Sequence, residues 1–563
     1  MPDFIKNIAS FIIFNFTAIY GNLNYKSYKR NAKNAANKSK KRLIKFIENN
    51  KNTEFGKAHN FDKIKTIEDY QKYMPYTTFD DYKELVERTL KTGEQNLVVK
   101  DKVCYFAGTS GTTGDMKRIP VVKSSFKPFL KCGSIFTWNL KTVMKQKKRG
   151  LLYGKVFNLS EMGTEDTPSG IRSGFISGYF TYSLKRFLPL TTCVPTEILD
   201  NREKMDAMYI KARYAIQERN VICMNSVFMS AITDLMNYIY TNHEMLIQDI
   251  EEGKINSSIS LTKEVREKLE KRLKPDKKRA DELKEIFNNL KPEEPFANKI
   301  WKRLSLIISI GTGDFAVFDK KLRKYCGNDI AVSYSMYAAS EATIACAFVP
   351  ENKDYTLLYD SGFYEFIPVE GNPKPLCMNK LEIGKEYEIV VTNYAGLYRY
   401  KLLDVVRVIG YDHDVPILEF AYRKNQVTDI GGLHLTVETL TNVMNEIQEE
   451  INVNILDYSF YINTENPLTR YEVFAEFEKE IPNNINLSET FDKKLYENNE
   501  NYRLVYHTVA LDKSVVHVVK PGTYEKFREN KVKNGVIVNQ IKTVRIVKKK
   551  EDYEFLLSNS VNK

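Results

Sequence analysis

An α/β fold, in which a large domain of helix-flanked sheets carries a smaller α+β domain, is what the sequence predicts. Three observations lead there. The chain has 563 residues, too many for one ordinary hydrophobic core. A β-rich stretch, "NLVVKDKVCYF" (Asn96–Phe106), runs directly into a loop of glycines and hydroxyl residues, the strand-end position at which α/β folds hold their ligands. From about Asn425 onward, helix-period and strand-period segments alternate over a length that suits a compact α+β unit.

The elements follow in order. The first apolar run, Ile8 to Tyr20 with Asn15 interrupting it, is too short to span a bilayer, and no small-residue cleavage site follows it. It reads as a buried or partly buried helix, with attachment to a membrane surface as the alternative. Residues Tyr25 to Leu90 are mostly helical in pattern. Within them "YMPYTTFDDYKELVERTL" is a turn leading into a helix that Thr77 or Thr78 begins, with Asp80 and Asp81 in its first turn.

Charged segments with Leu/Ile spacing at Asp200–Ala215 and Ser226–Glu252 read as amphipathic helices, and Pro275 splits the region Leu261–Leu290 into two more. After Trp301, "RLSLIISIGTGDFAVF" is a buried strand entering a glycine turn. The segments "DIAVSYSMYAASEATIACAF", "YEFIPV", "EYEIVVTNYAGLYRYKLLDVVRVIGY" and "PILEFAYRK" supply short strands punctuated by turns. The tail has a helix at Thr436–Ile451, strands in "DYSFYI", "YEVFAEF" and "HTVALDKSVVHVV", and a helix at Tyr524–Asn534.

Composition narrows the function classes. Hydrophobic residues make up 43% and charged residues 28%, which is a folded globular balance. Lys plus Arg number 84 against 72 Asp plus Glu, a net +12, mild for this length and suited to an anionic small ligand as well as to nucleic acid. The basic runs "KSKKRLIK" and "KPDKKRADELKE" read as solvated helix faces, and no nucleic-acid module accompanies them, so no nucleic-acid partner is expected. The 7 cysteines are odd in number and lack any C-x-x-C, which implies a reducing, cytoplasmic setting without a metal cluster. The 6 histidines show no H-E-x-x-H spacing, which argues against a zinc enzyme.

The loop Gly108–Gly114 packs 3 glycines among 4 hydroxyl residues, with Lys117 close behind. Backbone amides in such a turn can face an anion because glycine has no Cβ and tolerates positive φ. Hydroxyls add donors, and the lysine adds a point charge. That chemistry fits a polyphosphate. It is not a Walker A loop, because Lys117 does not directly follow Gly114 and Arg118 stands where a hydroxyl residue is required, and G-x-G-x-x-G is absent. A plain surface turn is the competing reading.

At this point a resemblance enters. "TSGTTGDMK" (Thr109–Lys117) is similar to the phosphate-binding loop of the acyl-adenylate-forming, luciferase-like superfamily. "MYAASE" (Met336–Glu341) resembles its Tyr-x-x-Ser-Glu element. "SGFYEFIP" (Ser361–Pro368) and "GLYRYKLLDVVRV" (Gly396–Val408) resemble signatures of the acyl acid amido synthetases called the Gretchen Hagen three family, known from plant hormone conjugation. "AYRKNQVTDIGG" (Ala421–Gly432) looks like the family's hinge region, and "KPGTYEKFRENKVKNGVIVNQIKTVR" (Lys520–Arg545) like its C-terminal stretch. The ordered resemblance runs from about Thr66 to Arg545.

What the resemblance implies is a luciferase-like fold with a β-barrel-like part in a large adenylating domain, residues 1–422, and a small mobile domain, residues 423–563, hinged near 423–425. The implied enzyme uses ATP and Mg²⁺ to adenylate a small carboxylic acid and then passes the acyl group to an amine, usually an amino acid. Thr109, Ser110, Gly111, Thr112, Thr113, Gly114 and Lys117 would hold the β- and γ-phosphates. Tyr337 would pack on adenine, Glu341 would bind Mg²⁺, and Asp404 would accept hydrogen bonds from the ribose hydroxyls. Arg423 is either a surface arginine or a group that reaches ribose or phosphate. Lys542 would be the catalytic lysine carried by the small domain. Taken singly, Glu341 and Lys542 are the kind of charges more often found solvated.

The sequence departs from the family pattern twice. Leu403 stands where the family has a glycine before the aspartate, which puts the local turn in question. His434 stands where the family has a nucleotide-contacting lysine, and a neutral imidazole brings a hydrogen bond but little charge at pH 7. A thioester (acyl-CoA) ligase on the same fold and a nucleotide-binding protein without chemistry are the alternatives. A monomer is expected. Phe228 and Met229 could line an acyl pocket, but residues of their type are more often core.

Overall fold

In the computed structural model the described residues are 3–108, 117–160, 162, 164–199, 207–312, 316–424, 428–430, 433–435, 437–463, 469–482, 484–499, 502, 512–533 and 544–561. The chain divides into two compact units, Met1–Leu402 with Val406–Glu419, and Leu403–Val405 with Phe420–Lys563. The fold is mixed α/β, as the sequence predicts.

Among the described residues, three sheets organise the large unit. A four-stranded parallel sheet has the order Lys155–Asn158, Val221–Phe228, Leu306–Ile310, Ala331–Ser333. Parallel neighbours need crossover connections, and helices such as Met229–Thr241 and Ala316–Cys326 lie in those connections. The near-continuous apolar reading of "LIISI" fits a strand covered on both faces. A second four-stranded sheet has the order Arg118–Val122, Val103–Gly108, Arg172–Gly174, Thr164–Asp166. The third sheet has eight strands, from Leu376–Cys377 through Phe363–Pro368, Glu386–Thr392, Tyr400–Asp412, Val415–Arg423, Tyr355–Leu357 and Thr343–Cys346 to Met336–Ala338.

Several expectations change in detail. The region Asn96–Phe106 is extended strand only from Val103. Its first part is held as a loop by Phe55 N–H donating to the Leu97 carbonyl (2.9 Å) and Lys100 N–H to Asn50 Oδ1 (2.8 Å). Ser226–Glu252 is not one helix. Ser226 to Phe228 close a buried strand, and the helices Met229–Thr241 and His243–Glu252 follow. Phe228 and Met229 are both buried core residues, Met229 lying against Gly311. Pro275 does separate two helices, Lys263–Glu270 and Lys277–Asn288. Thr78, not Thr77, caps its helical segment in a capping box with Asp81. Thr77 instead bridges to Tyr400 and donates its hydroxyl to the Tyr398 carbonyl at 2.7 Å.

The first helix is far longer than the apolar run within it, spanning Asp3–Ala32, 30 residues. It packs along the Phe126–Gln146 helix. Gly21 permits that approach, since a Cβ there would lie 1.9 Å from the Ser134 carbonyl oxygen.

In the small unit the strands Ile455–Asn463 and Arg470–Phe477 pair antiparallel, and Val515–Val518 adds parallel to the latter. Helices Val437–Ile451 and Leu487–Asn498 contribute Leu440 and Phe491 to a core shared with Phe460 and Val473. Glu472 is buried within this sheet. Arg470 donates to it through Nε (2.9 Å) and Nη2 (2.7 Å), Asn463 through Nδ2 (2.7 Å) and Tyr553 through its hydroxyl (3.0 Å), and His517 Nε2 lies 3.1 Å away. Burial alone would raise the Glu472 carboxyl. The hydrogen bonds, led by that of His517, outweigh burial and hold its pKa at about 2.

Candidate active site

The glycine-rich loop connects a β-hairpin. Strand Val103–Gly108 pairs antiparallel with Arg118–Val122, and Gly108 faces Arg118 across the ladder. A Walker A loop leads from a strand into a helix, so the topology independently excludes that reading. Thr109, Ser110, Gly111, Thr112, Thr113 and Gly114 lie outside the described residues. Lys117 re-enters the chain exposed, with Nζ 5.9 Å from the ring centroid of Phe79.

A second hairpin meets the end of the first. Met336–Ala338 pairs with Thr343–Cys346, and Ala339 N–H donates to the Ala342 carbonyl (2.8 Å), which leaves Ser340 and Glu341 at the tip. Ser340 Oγ donates to the Gly108 carbonyl at 3.4 Å, one residue before Thr109. On the other side, Asn393 Nδ2 donates to the Glu341 carbonyl at 2.6 Å. Asn393 Oδ1 accepts from the N–H groups of Ala395 (2.9 Å) and Leu397 (3.0 Å), which fixes its amide. Three motifs that are distant in sequence therefore converge where the phosphate-type loop begins.

Tyr337 sits on the same hairpin, half-buried, with its ring 6.1 Å from that of Tyr355. Tyr355 is itself held, donating to the Tyr334 carbonyl at 3.1 Å and lying 2.8 Å from Thr312 Oγ1. Sequence reasoning missed Asn393, Tyr355 and Thr312. The sequence signal of Asn393 and Thr312 is their place in turns after strands, at "TNYAG" and "SIGTG", whereas Tyr355 opens the short strand Tyr355–Leu357 and carries no such signal.

Glu341 is half-buried at the hairpin tip. Among the described residues no three His, Cys, Asp or Glu side chains group to hold a metal ion. One carboxylate beside a phosphate loop is nonetheless the donor set Mg²⁺ uses, since that ion completes its shell with phosphate oxygens and waters.

Two family-like motifs are joined by one buried ion pair. Arg399 donates through Nε to Glu365 Oε2 (2.9 Å) and through Nη2 to Oε1 (3.2 Å), a fork-to-fork geometry. Arg399 Nη1 donates to the Met74 carbonyl at 2.8 Å, and Gln71 Nε2 donates to Glu365 Oε1 at 2.9 Å. Both side chains are at least 95% buried, at 5% and 1% exposure. The "YEFIP" and "LYRY" signatures thus act here through packing that fixes the sheet around the site.

On the Tyr400–Asp412 strand, Asp404 is buried and accepts a hydrogen bond from Arg423 Nε at 2.5 Å. The pair orients the Asp404 carboxylate. Leu403, beside it, has φ of +63°, the left-handed region in which glycine is at ease and leucine is strained. Leucine here therefore occupies a backbone conformation that favours the glycine of the family pattern. His434 lies on the Leu433–Leu435 strand, opposite Asp429 in an antiparallel pair. Lys542 lies outside the described residues.

The hairpin-borne loop, the second hairpin braced against it and the separate α+β unit amount to the fold of an acyl acid amido synthetase. The chain matches the solved structure "AtGH3.15 acyl acid amido synthetase in complex with 2,4-DB" with a TM-score of 0.82 and 21% sequence identity, covering 96% of each chain. Models of the GH3 family match in order, the N-terminal domain over residues 24–331, the central domain over 355–423 and the C-terminal domain over 438–551. The chain belongs to the GH3 (Gretchen Hagen three) family. Similar curated proteins include an indole-3-acetic acid-amido synthetase, GH3.3, of Arabidopsis thaliana, 26% identical over 89% of this chain and 87% of its own length. Another is the jasmonoyl–L-amino acid synthetase JAR4 of Nicotiana attenuata, 26% identical over 90% of both chains.

Proposed function

We propose that this protein is an ATP-dependent ligase that adenylates a carboxylic acid and transfers the acyl group to an amine, an amino acid, with release of pyrophosphate and AMP. A carboxylate oxygen of the acid attacks the α-phosphorus of ATP, and the bond to the pyrophosphate oxygen breaks. The amine nitrogen then attacks the acyl carbonyl, the bond to AMP breaks, and the nitrogen loses a proton. The observation that supports this most is the meeting of Gly108, the Ser340–Glu341 tip and Asn393 at the start of the loop, within a family whose curated relatives are amido synthetases.

The residues divide the work by chemistry. Thr109, Ser110, Thr112 and Thr113, the backbone at Gly111 and Gly114, and Lys117 hold the β- and γ-phosphates, neutralising charge as two anions approach. Tyr337 packs on adenine, Asp404 accepts from the ribose hydroxyls and Arg423 orients Asp404. Glu341 would hold Mg²⁺, which when bound neutralises phosphate charge. His434 contacts the α-phosphate, and Lys542, carried by the small domain, steadies the α-phosphate and carboxylate oxygens. Rotation about a hinge near residues 423–425, between a large domain (1–422) and a small one (423–563), then exposes the acceptor site. All seven cysteines are free thiols, which suits cytoplasmic residence, and the enzyme acts as a monomer.

The test is acid-dependent exchange of labelled pyrophosphate into ATP. Wild type should exchange, and Lys117→Ala and Glu341→Ala should lose exchange by about 10²-fold or more. Full exchange in both variants would remove the loop and hairpin from the reaction.

A further inference from the structure

The first helix carries large apolar side chains on two opposite sides, and among the described residues only one of these sides packs on protein. Ser10, Phe14, Ala18, Gly21, Tyr28 and Ala32 follow helical spacing and are buried. The opposite stripe, Phe4, Ile8, Ile12, Phe16, Ile19 and Leu23, steps by three or four residues and is exposed, Phe4 at 74%, Phe16 at 73% and Ile12 at 60%. A soluble helix would carry polar residues there. Large side chains aligned over about 30 Å, at 1.5 Å rise per residue, form a continuous apolar face of the kind that marks an interaction surface.

Charge identifies the occupant. The next two steps of the same stripe are Lys26 and Arg30, both exposed, and residues 4–32 contain no Asp or Glu. Two neighbouring segments repeat the pairing of an exposed apolar residue with cations. One is Leu151 after the exposed Lys148, on a loop tied to the helix by Asn15 Nδ2 donating to the Leu152 carbonyl at 3.0 Å, while the flanking Lys147 and Arg149 pair with Asp329. The other is Phe187 after Lys185 and Arg186, leading into the Leu188–Thr191 helix that packs on the first helix. Apolar side chains flanked by lysine and arginine complement an acyl boundary beneath anionic headgroups.

The segment Phe4–Ala32 is long and apolar enough, by length and composition, to cross a membrane. The other side of the helix argues against that. Ser10 Oγ accepts from Gly154 N–H at 3.3 Å, Asn24 Nδ2 donates to Ser134 Oγ at 3.1 Å, and Gly21 sits against the Ser134 backbone. Tyr28 also donates to the Leu357 carbonyl. Crossing a bilayer would strip all of these from the large unit.

We infer that the protein binds anionic membrane surfaces peripherally, its first helix lying in the plane of the interface with the Phe4–Leu23 stripe among the lipid chains and Lys26 and Arg30 at the headgroups. The test is co-flotation of the purified full chain with vesicles of phosphatidylcholine with and without phosphatidylserine. Wild type should float with phosphatidylserine vesicles and be released by high salt or alkaline carbonate. The triple variant Ile12→Gln, Phe16→Gln, Leu23→Gln should lose vesicle affinity by about tenfold or more, as should the pair Lys26→Glu, Arg30→Glu. Because these side chains are exposed, the variants should keep wild-type melting and pyrophosphate exchange in solution. Absence of flotation, equal flotation without phosphatidylserine or retention in carbonate would overturn the inference. So would dimerisation in light scattering that the triple variant abolishes, since the face would then cover a second copy.

Discussion

Glu365→Gln isolates the buried ion pair that joins two family motifs. The substitution keeps shape and one acceptor but removes the charge opposite Arg399, whose guanidinium is 5% exposed. Breaking one partner of such a pair costs about 3–5 kcal/mol, because the remaining charge is buried without compensation. The Met74 carbonyl at 2.8 Å and the Gln71 carbonyl at 3.3 Å still accept from Arg399, which places the loss near the lower end, about 3 kcal/mol. In a unit of roughly 400 residues each kcal/mol shifts Tm by about 1 °C, so calorimetry should show the large unit melting about 3 °C lower. Glu365→Met with Arg399→Met removes both charges and should recover most of that loss. A single variant melting with wild type, or a double variant as unstable as the sum of the singles, would refute the reasoning.

Other outcomes follow from the same geometry. Leu403→Gly should be neutral or stabilise by about 1 kcal/mol, since it relieves a left-handed leucine, and a fall in Tm would show that the side chain matters more than the backbone. Asp404→Asn should raise the KM for ATP by about tenfold, by weakening ribose hydrogen bonds, with steady-state kinetics as the check and an unchanged KM counting against the role. His434→Ala should slow ATP–pyrophosphate exchange, and an unchanged rate removes His434 from the α-phosphate. The Glu472 carboxyl, held at about 2 in the folded state, contributes stability that is complete above its unfolded value near 4.3 and is lost as pH falls from there toward 2. Circular dichroism melts should therefore show Glu472→Gln flattening the acid limb of the small unit. A limb as steep as that of wild type would show that other groups set it.

Local signals were legible where one segment decides its own structure. Pro275 divides two helices, and Thr78 and Asp81 form a capping box. In the tail the helices Val437–Ile451 and Thr523–Lys533 and the strands Ile455–Asn463 and Arg470–Phe477 fall close to their expected places. There "HTVALDKSVVHVV" is strand only at Val515–Val518, residues 507–511 lying outside the described ones, and the charged segment between is the helix Leu487–Asn498. Legibility ended where a distant partner decides. "NLVVKDK" has strand composition, yet its backbone is claimed by Phe55 and Asn50. Ser226–Phe228 fit a helical period but pair in the parallel sheet, where burial on both faces hides the alternation. The first helix was underestimated because its core contacts, to Ser134 and Leu152, lie more than 100 residues away. The site motifs were readable as a series. That Gly108, Ser340 and Asn393 meet was not, because no local pattern encodes a contact across 232 residues.

The central claim is acyl adenylation followed by transfer to an amine. Its most direct measurement is pyrophosphate release from ATP across a panel of aromatic and aliphatic acids, repeated with pooled amino acids and with CoA, the products being read by mass. Acid-dependent release is expected, with acyl–amino acid amides formed in the presence of amino acids and no thioester formed with CoA. Release independent of every acid, or a CoA thioester as the product, would contradict it.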